Sequence, residues 1–310
     1  HIKENKSTRY SLRIACFYII VNLKTRLFYQ KEWVRVVDRI LQSVAETLSP
    51  LPFVEGIVLG GSRAKGNHTA DSDIDIGLYY HPETLDLPAL NQLAARLDDQ
   101  KRDNLVVPPG GWGEWVNGGG WLRINGYSVD ILLRDIKRVA QVIADTEQGI
   151  VTTHYQTGHP HGYISAMYRD ELAVSKVLYH QNSRFLELKK RAETYPPALK
   201  NSLITYFLFE AEFSLMFVKA NIGAGDTYYL AGHVFRLISC LNQVLFACNQ
   251  MYCLNEKKAV QLIDTFERKP DHYGQKVNGI FELLGQSLPA CCDRAEQLCQ
   301  QVKAIVSEMG

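Results

Sequence analysis

The sequence leans to neither sign of charge: 34 Lys and Arg stand against 33 Asp and Glu, leaving a formal net charge of +1. Avid, salt-sensitive binding to long nucleic acid needs a basic face, so a long nucleic-acid partner is not expected. A small anionic substrate stays open, because a site can be basic locally while the chain is neutral. Long apolar runs are missing too. The longest near the start, Ile14–Leu23, is roughly half of the ~20 residues that span a bilayer, and no small-residue cleavage site follows it. It reads as a packed N-terminal helix or strand, with no membrane partner. The seven cysteines form no C-x-x-C pair. Their odd number and helix-like settings argue against a disulfide framework or a structural zinc site, and point to reduced, buried thiols in a cytoplasmic protein. Internal repeats and low-complexity linkers are absent as well.

What is present is ordinary globular material, 46% apolar and 22% charged over 310 residues, enough for two domains. Trp33, Val36, Val37, Ile40, Leu41 and Val44 recur at helical spacing, predicting a helix over Lys31–Leu48. Phe53–Gly60 reads as a buried strand, Ser62–Lys65 as a short helix, Ser72–Tyr80 as a second strand and Leu87–Arg102 as a helix. Pro108–Gly120 carries six glycines with Trp112 and Trp115 among them. It reads equally as a segment reaching over a ligand and as a plain surface loop. Trp121–Ile124 and Tyr127–Leu133 flank Asn125-Gly126, a two-residue hairpin signal, and Asp135 is the expected N-cap of a helix to Thr146. After about Pro160, helical periodicity dominates: Ile164–Leu178, Phe185–Thr194, Leu199–Asn221, Tyr228–Tyr252, Glu256–Glu267 and Leu288–Met309.

The informative segment is Leu59–Leu78, LGGSRAKGNHTADSDIDIGL. A strand delivers Gly60-Gly61-Ser62 to a helix start, where unpaired N–H groups and the helix dipole favour phosphate. Arg63 and Lys65 stand near enough to neutralise phosphate oxygens, or they face water. After a ten-residue spacer come Asp73 and Asp75, separated by Ile74. On a strand both carboxylates share one face, and two such neighbours repel unless a cation lies between them. Mg²⁺ suits that position, being a hard ion that takes a few carboxylates together with substrate phosphates. Asp130, between Val129 and Ile131, offers a third carboxylate, with Asp103 and Glu114 as competitors for that place. Three acids on two strands would suit two metals.

This segment resembles the signature of the DNA polymerase β superfamily of nucleotidyltransferases: Gly-Ser, a spacer, then Asp, an apolar residue, Asp. The longer strings Gly61–Gly66 and Ser72–Asp75 are similar to the minimal and antibiotic nucleotidyltransferases. The resemblance implies a mixed α/β nucleotidyltransferase domain followed by an all-helical C-terminal domain. Gly61 and Ser62 would hold a nucleoside triphosphate, ATP first among candidates. Asp73 and Asp75 would ligate Mg²⁺, with Asp130 as third acid. The acceptor would be a small hydroxyl-bearing molecule, an antibiotic among them. An antitoxin-like enzyme modifying protein or RNA, or a nucleotide-binding regulator without turnover, are the rival readings. The expected divisions are 1–26 as an N-terminal extension, 27–158 as the nucleotidyltransferase domain and 159–310 as the helical domain.

Secondary candidates are weaker. The acceptor needs a base, and Asp130, Glu171 or His161 could serve. His154, His159 and His161 cluster without zinc-site spacing and read as incidental. Arg236, Asn242 and Asn249 interrupt an apolar helix, to be satisfied by neighbouring helices or by ligand. Asn255, Lys257 and Lys258 resemble a solvated cap, with one lysine available to phosphate.

Overall fold

The computed structural model describes residues 35–69 and 71–309. The element expected at Ile14–Leu23, the thiol of Cys16 and the 1–26 extension lie outside the described residues. The first described element is a helix over 35–48 (α1). It is followed by β1 (Val54–Leu59), α2 (Gly61–Lys65), β2 (Ile74–Tyr80), α3 (Leu87–Leu97), β3 (Val106–Val107), β4 (Gly118–Ile124), β5 (Tyr127–Asp135) and α4 (Ile136–Glu147). Then come β6 (Thr153–Gln156), β7 (His159–Ile164), α5 (Met167–Val174), β8 (Lys176–His180), α6 (Ser183–Glu193) and α7 (Pro197–Asn221). A single 3₁₀ turn leads to α8 (Thr227–Cys248), α9 (Ala259–Ile263), α10 (Tyr273–Leu283) and α11 (Leu288–Ser307).

Six strands form one mixed sheet in the order β3-β4-β5-β2-β1-β8. Only β2 and β5 run parallel, because α3 and the β3–β4 segment return the chain before β5 begins. Alternation along β2 divides its side chains: Ile74, Ile76 and Leu78 pack with Val37, Ile40 and Val44 of α1 and Leu90 of α3. Tyr79, on the opposite face, belongs to the larger core shared with α4 to α8 and α11. The Asn125-Gly126 hairpin holds, both residues having positive φ (52° and 79°), as a type I′ turn requires. Asp135 caps α4 by accepting from the N–H groups of Lys137 and Arg138.

The structure departs from the helix expected over Ile164–Leu178. Only Met167–Val174 is helical; Ser175 ends it, its N–H and hydroxyl both turned back to the Leu172 carbonyl. Lys176–His180 then joins β1 as an edge strand. The sheet thus takes a strand from beyond residue 158, where the helical domain 159–310 was expected to begin. Local periodicity could not reveal this, because β8 is defined by its partner. The His159–Ile164 segment pairs with Thr153–Gln156 in a separate hairpin. Downstream, the helix expected at Glu256–Glu267 shortens to Ala259–Ile263, and an unexpected one, α10, forms where Gly274 and Gly279 dilute the pattern.

Two buried arginines join sheet and helices. Arg134 on β5, 3% exposed, forks onto Glu171 of α5 at 2.6 and 2.8 Å. Arg169, 1% exposed, donates to the carbonyls of Ile143 at the end of α4 and of Arg191 and Thr194 at the end of α6. Among the described residues α8 is the one helix long and apolar enough to cross a bilayer, and 72% of its apolar window is buried, the pattern of a core helix. Among the described residues six cysteines are free and buried.

Phe185 of α6 closes the sheet against the helices. Its ring lies on Gly56, where an added Cβ would stand 2.5 Å away, and meets Tyr79 edge-on at 5.2 Å between centroids. Phe185→Ala is expected to cost about 3–5 kcal/mol, measured by urea unfolding. A loss below about 1 kcal/mol would show that this contact does not hold the layers together.

Candidate active site

The register of β2 against β5 brings the acids together. Asp75 is the direct partner of Asp130, and cross-strand partners project from the same face about 5 Å apart. Asp73 lies two residues before Asp75 on the same side, exposed at the mouth of the strand. The competitors for the third place are elsewhere: Asp103 is exposed on a loop, and Glu114 pairs with Arg138 at 2.9 Å.

Against this face stands the turn from β1 into α2. The Gly60 N–H donates to the Asp75 carbonyl at 2.8 Å, fixing the turn to β2. Gly61 has φ +60°, and a Cβ there would fall 1.7 Å from Asp75 Oδ2. Conformation and space both demand glycine. Ser62 follows in the first turn of α2, whose leading N–H groups have no partner within the helix. Gly66 ends α2 in the left-handed region.

Arg63 does not face water. It is 3% exposed and turns inward, donating Nε to the Asp73 carbonyl at 3.0 Å and an Nη to the Ser72 carbonyl. It therefore holds the backbone that carries Asp73. Lys65, exposed at the end of α2, lies within electrostatic reach of Asp170 and Cys253, toward the helical half.

The acids are electrostatically frustrated. Partial burial pushes the Asp75 carboxyl above the ordinary carboxylate range; Asp73 and Glu171 add to the shift, while Arg63 and Lys257 oppose it. Burial, then Asp75 and Asp73, push Asp130 up to about 6. A crowd of half-desolvated carboxylates against an open glycine turn fits a hard divalent cation with phosphate ligands. Lys257 of the helical half lies within electrostatic reach of Asp75.

The remaining candidates have partners of their own. Glu171 is held by Arg134. His154 stacks on Trp115 at 4.3 Å, His159 lies 3.6 Å from Glu256, and His161 faces α7 and α8. Asn242 accepts from the Tyr273 hydroxyl at 2.7 Å, Asn249 bonds the Leu245 and Arg268 carbonyls, and Arg236 pairs with Glu210. Neighbouring helices thus satisfy Arg236 and Asn242, and Asn249 is held by its own helix and the loop at Arg268.

The glycine-rich segment is anchored. Trp115 is buried beneath the Arg138 guanidinium at 3.9 Å, Gln156 bonds the backbone of Trp112, Trp115 and Val116, and Gly118–Gly120 belong to β4. Beside it lies a residue that sequence reasoning passed over. Trp121 is the β4 partner of Asp130, so it shares the acid face; it is 62% exposed and stacks on Trp112 at 4.7 Å. The signal was available, since a two-residue Asn-Gly turn fixes the register and counting back from it sets Trp121 opposite Asp130.

Residues 37–151 match the family model described as nucleotidyltransferase domain. Among solved structures, the chain is similar to a nucleotidyltransferase-like protein from Exiguobacterium sibiricum 255-15, at 11% identity and a TM-score of 0.43, covering 88% of this chain and 79% of that one. No curated protein matches the chain.

Two outcomes follow from the geometry. Gly61→Ala drives a methyl into the Asp75 carboxylate and should abolish Mg²⁺-nucleotide binding in calorimetry; binding within about threefold of wild type (under 1 kcal/mol) would contradict the tight turn. The second concerns pH. With its folded pKa raised, Asp130 contributes stability that is fully present below about pH 4 and is lost as pH rises through about 6. Chelator-treated protein should therefore melt higher at about pH 5 than at about pH 8, and Asp130→Asn should flatten the difference.

Proposed function

We propose that residues 37–151, which match the nucleotidyltransferase-domain model, make the chain an enzyme that transfers a nucleoside monophosphate from a Mg²⁺-bound nucleoside triphosphate to a hydroxyl of a small-molecule acceptor. Nucleotidyl transfer is the reaction class of the domain. The observation that carries the finer reading is the Asp75–Asp130 register beside Gly61.

In this reading Asp73, Asp75 and Asp130 hold the cations, and the backbone N–H groups of Gly61 and Ser62 receive phosphate oxygens. Bound there, Mg²⁺ would offset triphosphate charge and ease deprotonation of the acceptor hydroxyl. Asp130 takes the hydroxyl proton. The acceptor oxygen bonds to the α-phosphorus as the bond to the β-phosphate breaks, and pyrophosphate leaves. Arg63 keeps Asp73 in place from behind, and Lys257 meets the phosphates from the helical side. ATP is the first donor to try.

The acceptor is read from the Trp121–Trp112 stack on the acid face. An exposed, preordered aromatic surface next to Asp130 favours a molecule with a ring to lay on it. The near-neutral chain supports a small acceptor over a nucleic acid, and an antibiotic is one such molecule. Six free, buried cysteines among the described residues accord with a cytoplasmic setting.

The experiment is pyrophosphate release with Mg²⁺, each NTP and pooled ring-bearing hydroxyl compounds. Acceptor-dependent release should vanish in Asp73→Asn/Asp75→Asn. In Trp121→Ala, KM for the acceptor should rise about tenfold, the loss of one stacking contact of about 1–3 kcal/mol, with KM for NTP unchanged. Release surviving the double substitution would overturn the metal assignment; an unchanged acceptor KM would overturn the platform.

A further inference from the structure

A second constellation stands apart from the acid cluster. His161 of β7, Glu210 of α7 and Cys240 of α8 bring their ligand atoms within 4.8 Å of one another. Cys240 Sγ lies 3.5 Å from His161 Nε2 and 3.8 Å from Glu210 Oε2. Zinc binds thiolate sulfur at about 2.3 Å and imidazole nitrogen or carboxylate oxygen at about 2.0 Å, and a tetrahedral arrangement of such ligands separates them by about 3.5 Å. The three atoms already stand near that spacing.

We propose that His161, Glu210 and Cys240 form a Zn²⁺ site, separate from the carboxylates of the nucleotidyltransferase site, that fastens the β6–β7 hairpin to α7 and α8. The donor set selects the metal. A thiolate and an imidazole are poor ligands for Mg²⁺ and good ones for Zn²⁺, and the Cys240 proton passes to solvent as the Zn–S bond forms. Cys240 is fully buried and the other two are half-buried, so a water completes the tetrahedron from the open side. The Arg236 guanidinium donates to both Glu210 oxygens at 2.9 Å. It can stay on Oε1 while Oε2 turns to the metal, which is the outer-shell support that ligating carboxylates usually have.

The site has a mechanical consequence. The His161 backbone N–H donates to Glu256 at 2.7 Å, and the next residue is Lys257, whose charge acts on Asp75. Zinc would thus steady the strand from which that loop hangs.

The test uses the full chain, stripped with a chelator and reconstituted with Co²⁺ or Zn²⁺. One equivalent of Co²⁺ should give a thiolate-to-cobalt charge-transfer band that survives in Asp73→Asn/Asp75→Asn and disappears in Cys240→Ser. Zn²⁺ should raise the melting temperature of the stripped wild type and leave Cys240→Ser and His161→Gln unmoved. Absence of the band in wild type, which needs no variant to fold, or its persistence in Cys240→Ser, would overturn the proposal.

Discussion

One carboxylate sets the terms for the rest of the site. Asp75 lies beside Asp130 across parallel strands and presses against the Cα of Gly61, with Asp73 two residues away. Three acids so placed repel one another, and the partial burial of Asp75 and Asp130 weakens the solvent screening that would relieve them. Isolated, the arrangement is unfavourable, and it persists because the surrounding structure over-determines it. Ile74 and Ile76 are wholly buried, the Gly60 N–H is committed to the Asp75 carbonyl, and Arg63 grips the backbone at Asp73. A site strained by like charge is one that favours a cation, and the folded scaffold supplies the energy that keeps it ready.

That scaffold depends on how sheet and helices are joined. Arg169 is buried among the carbonyls at the ends of α4 and α6 and also donates to the Tyr252 hydroxyl at 3.3 Å. Helix C-termini carry unpaired carbonyls and partial negative charge, so one guanidinium there satisfies groups that burial would otherwise leave costly. Through Tyr252 the same residue reaches the segment leading to Lys257. Arg134 and Glu171 make a second tie from β5 to α5, next to the acids. The helical half therefore positions part of the site, and the edge strand β8 shows the dependence running the other way, since residues past 158 complete the sheet.

Much of this was legible beforehand, for identifiable reasons. The glycine-serine turn, the Asp-Ile-Asp alternation, the Asn125-Gly126 hairpin and the Asp135 cap are short-range devices whose residues carry their own geometry, and each stands where the sequence put it. The two-residue turn even encoded Trp121 opposite Asp130, although that inference went undrawn. Strand β8 and helix α10 escaped because their patterns are weak locally. Arg63 turns inward instead of toward water because the carbonyls of Ser72 and Asp73 accept its donors.

The sequence by itself determined the local devices of the site, the glycine-serine turn and the Asp-Ile-Asp alternation, and that a mixed α/β unit would precede helices. Those conclusions rest on spacing within about 20 residues, where backbone geometry leaves few alternatives. Only the tertiary structure decided that Asp130, and not Asp103 or Glu114, lies beside Asp75, that Lys257 comes within electrostatic reach of Asp75, and that His161, Glu210 and Cys240 meet. Those contacts join residues tens of positions apart, and their meeting is governed by strand register and helix packing, which no local pattern specifies.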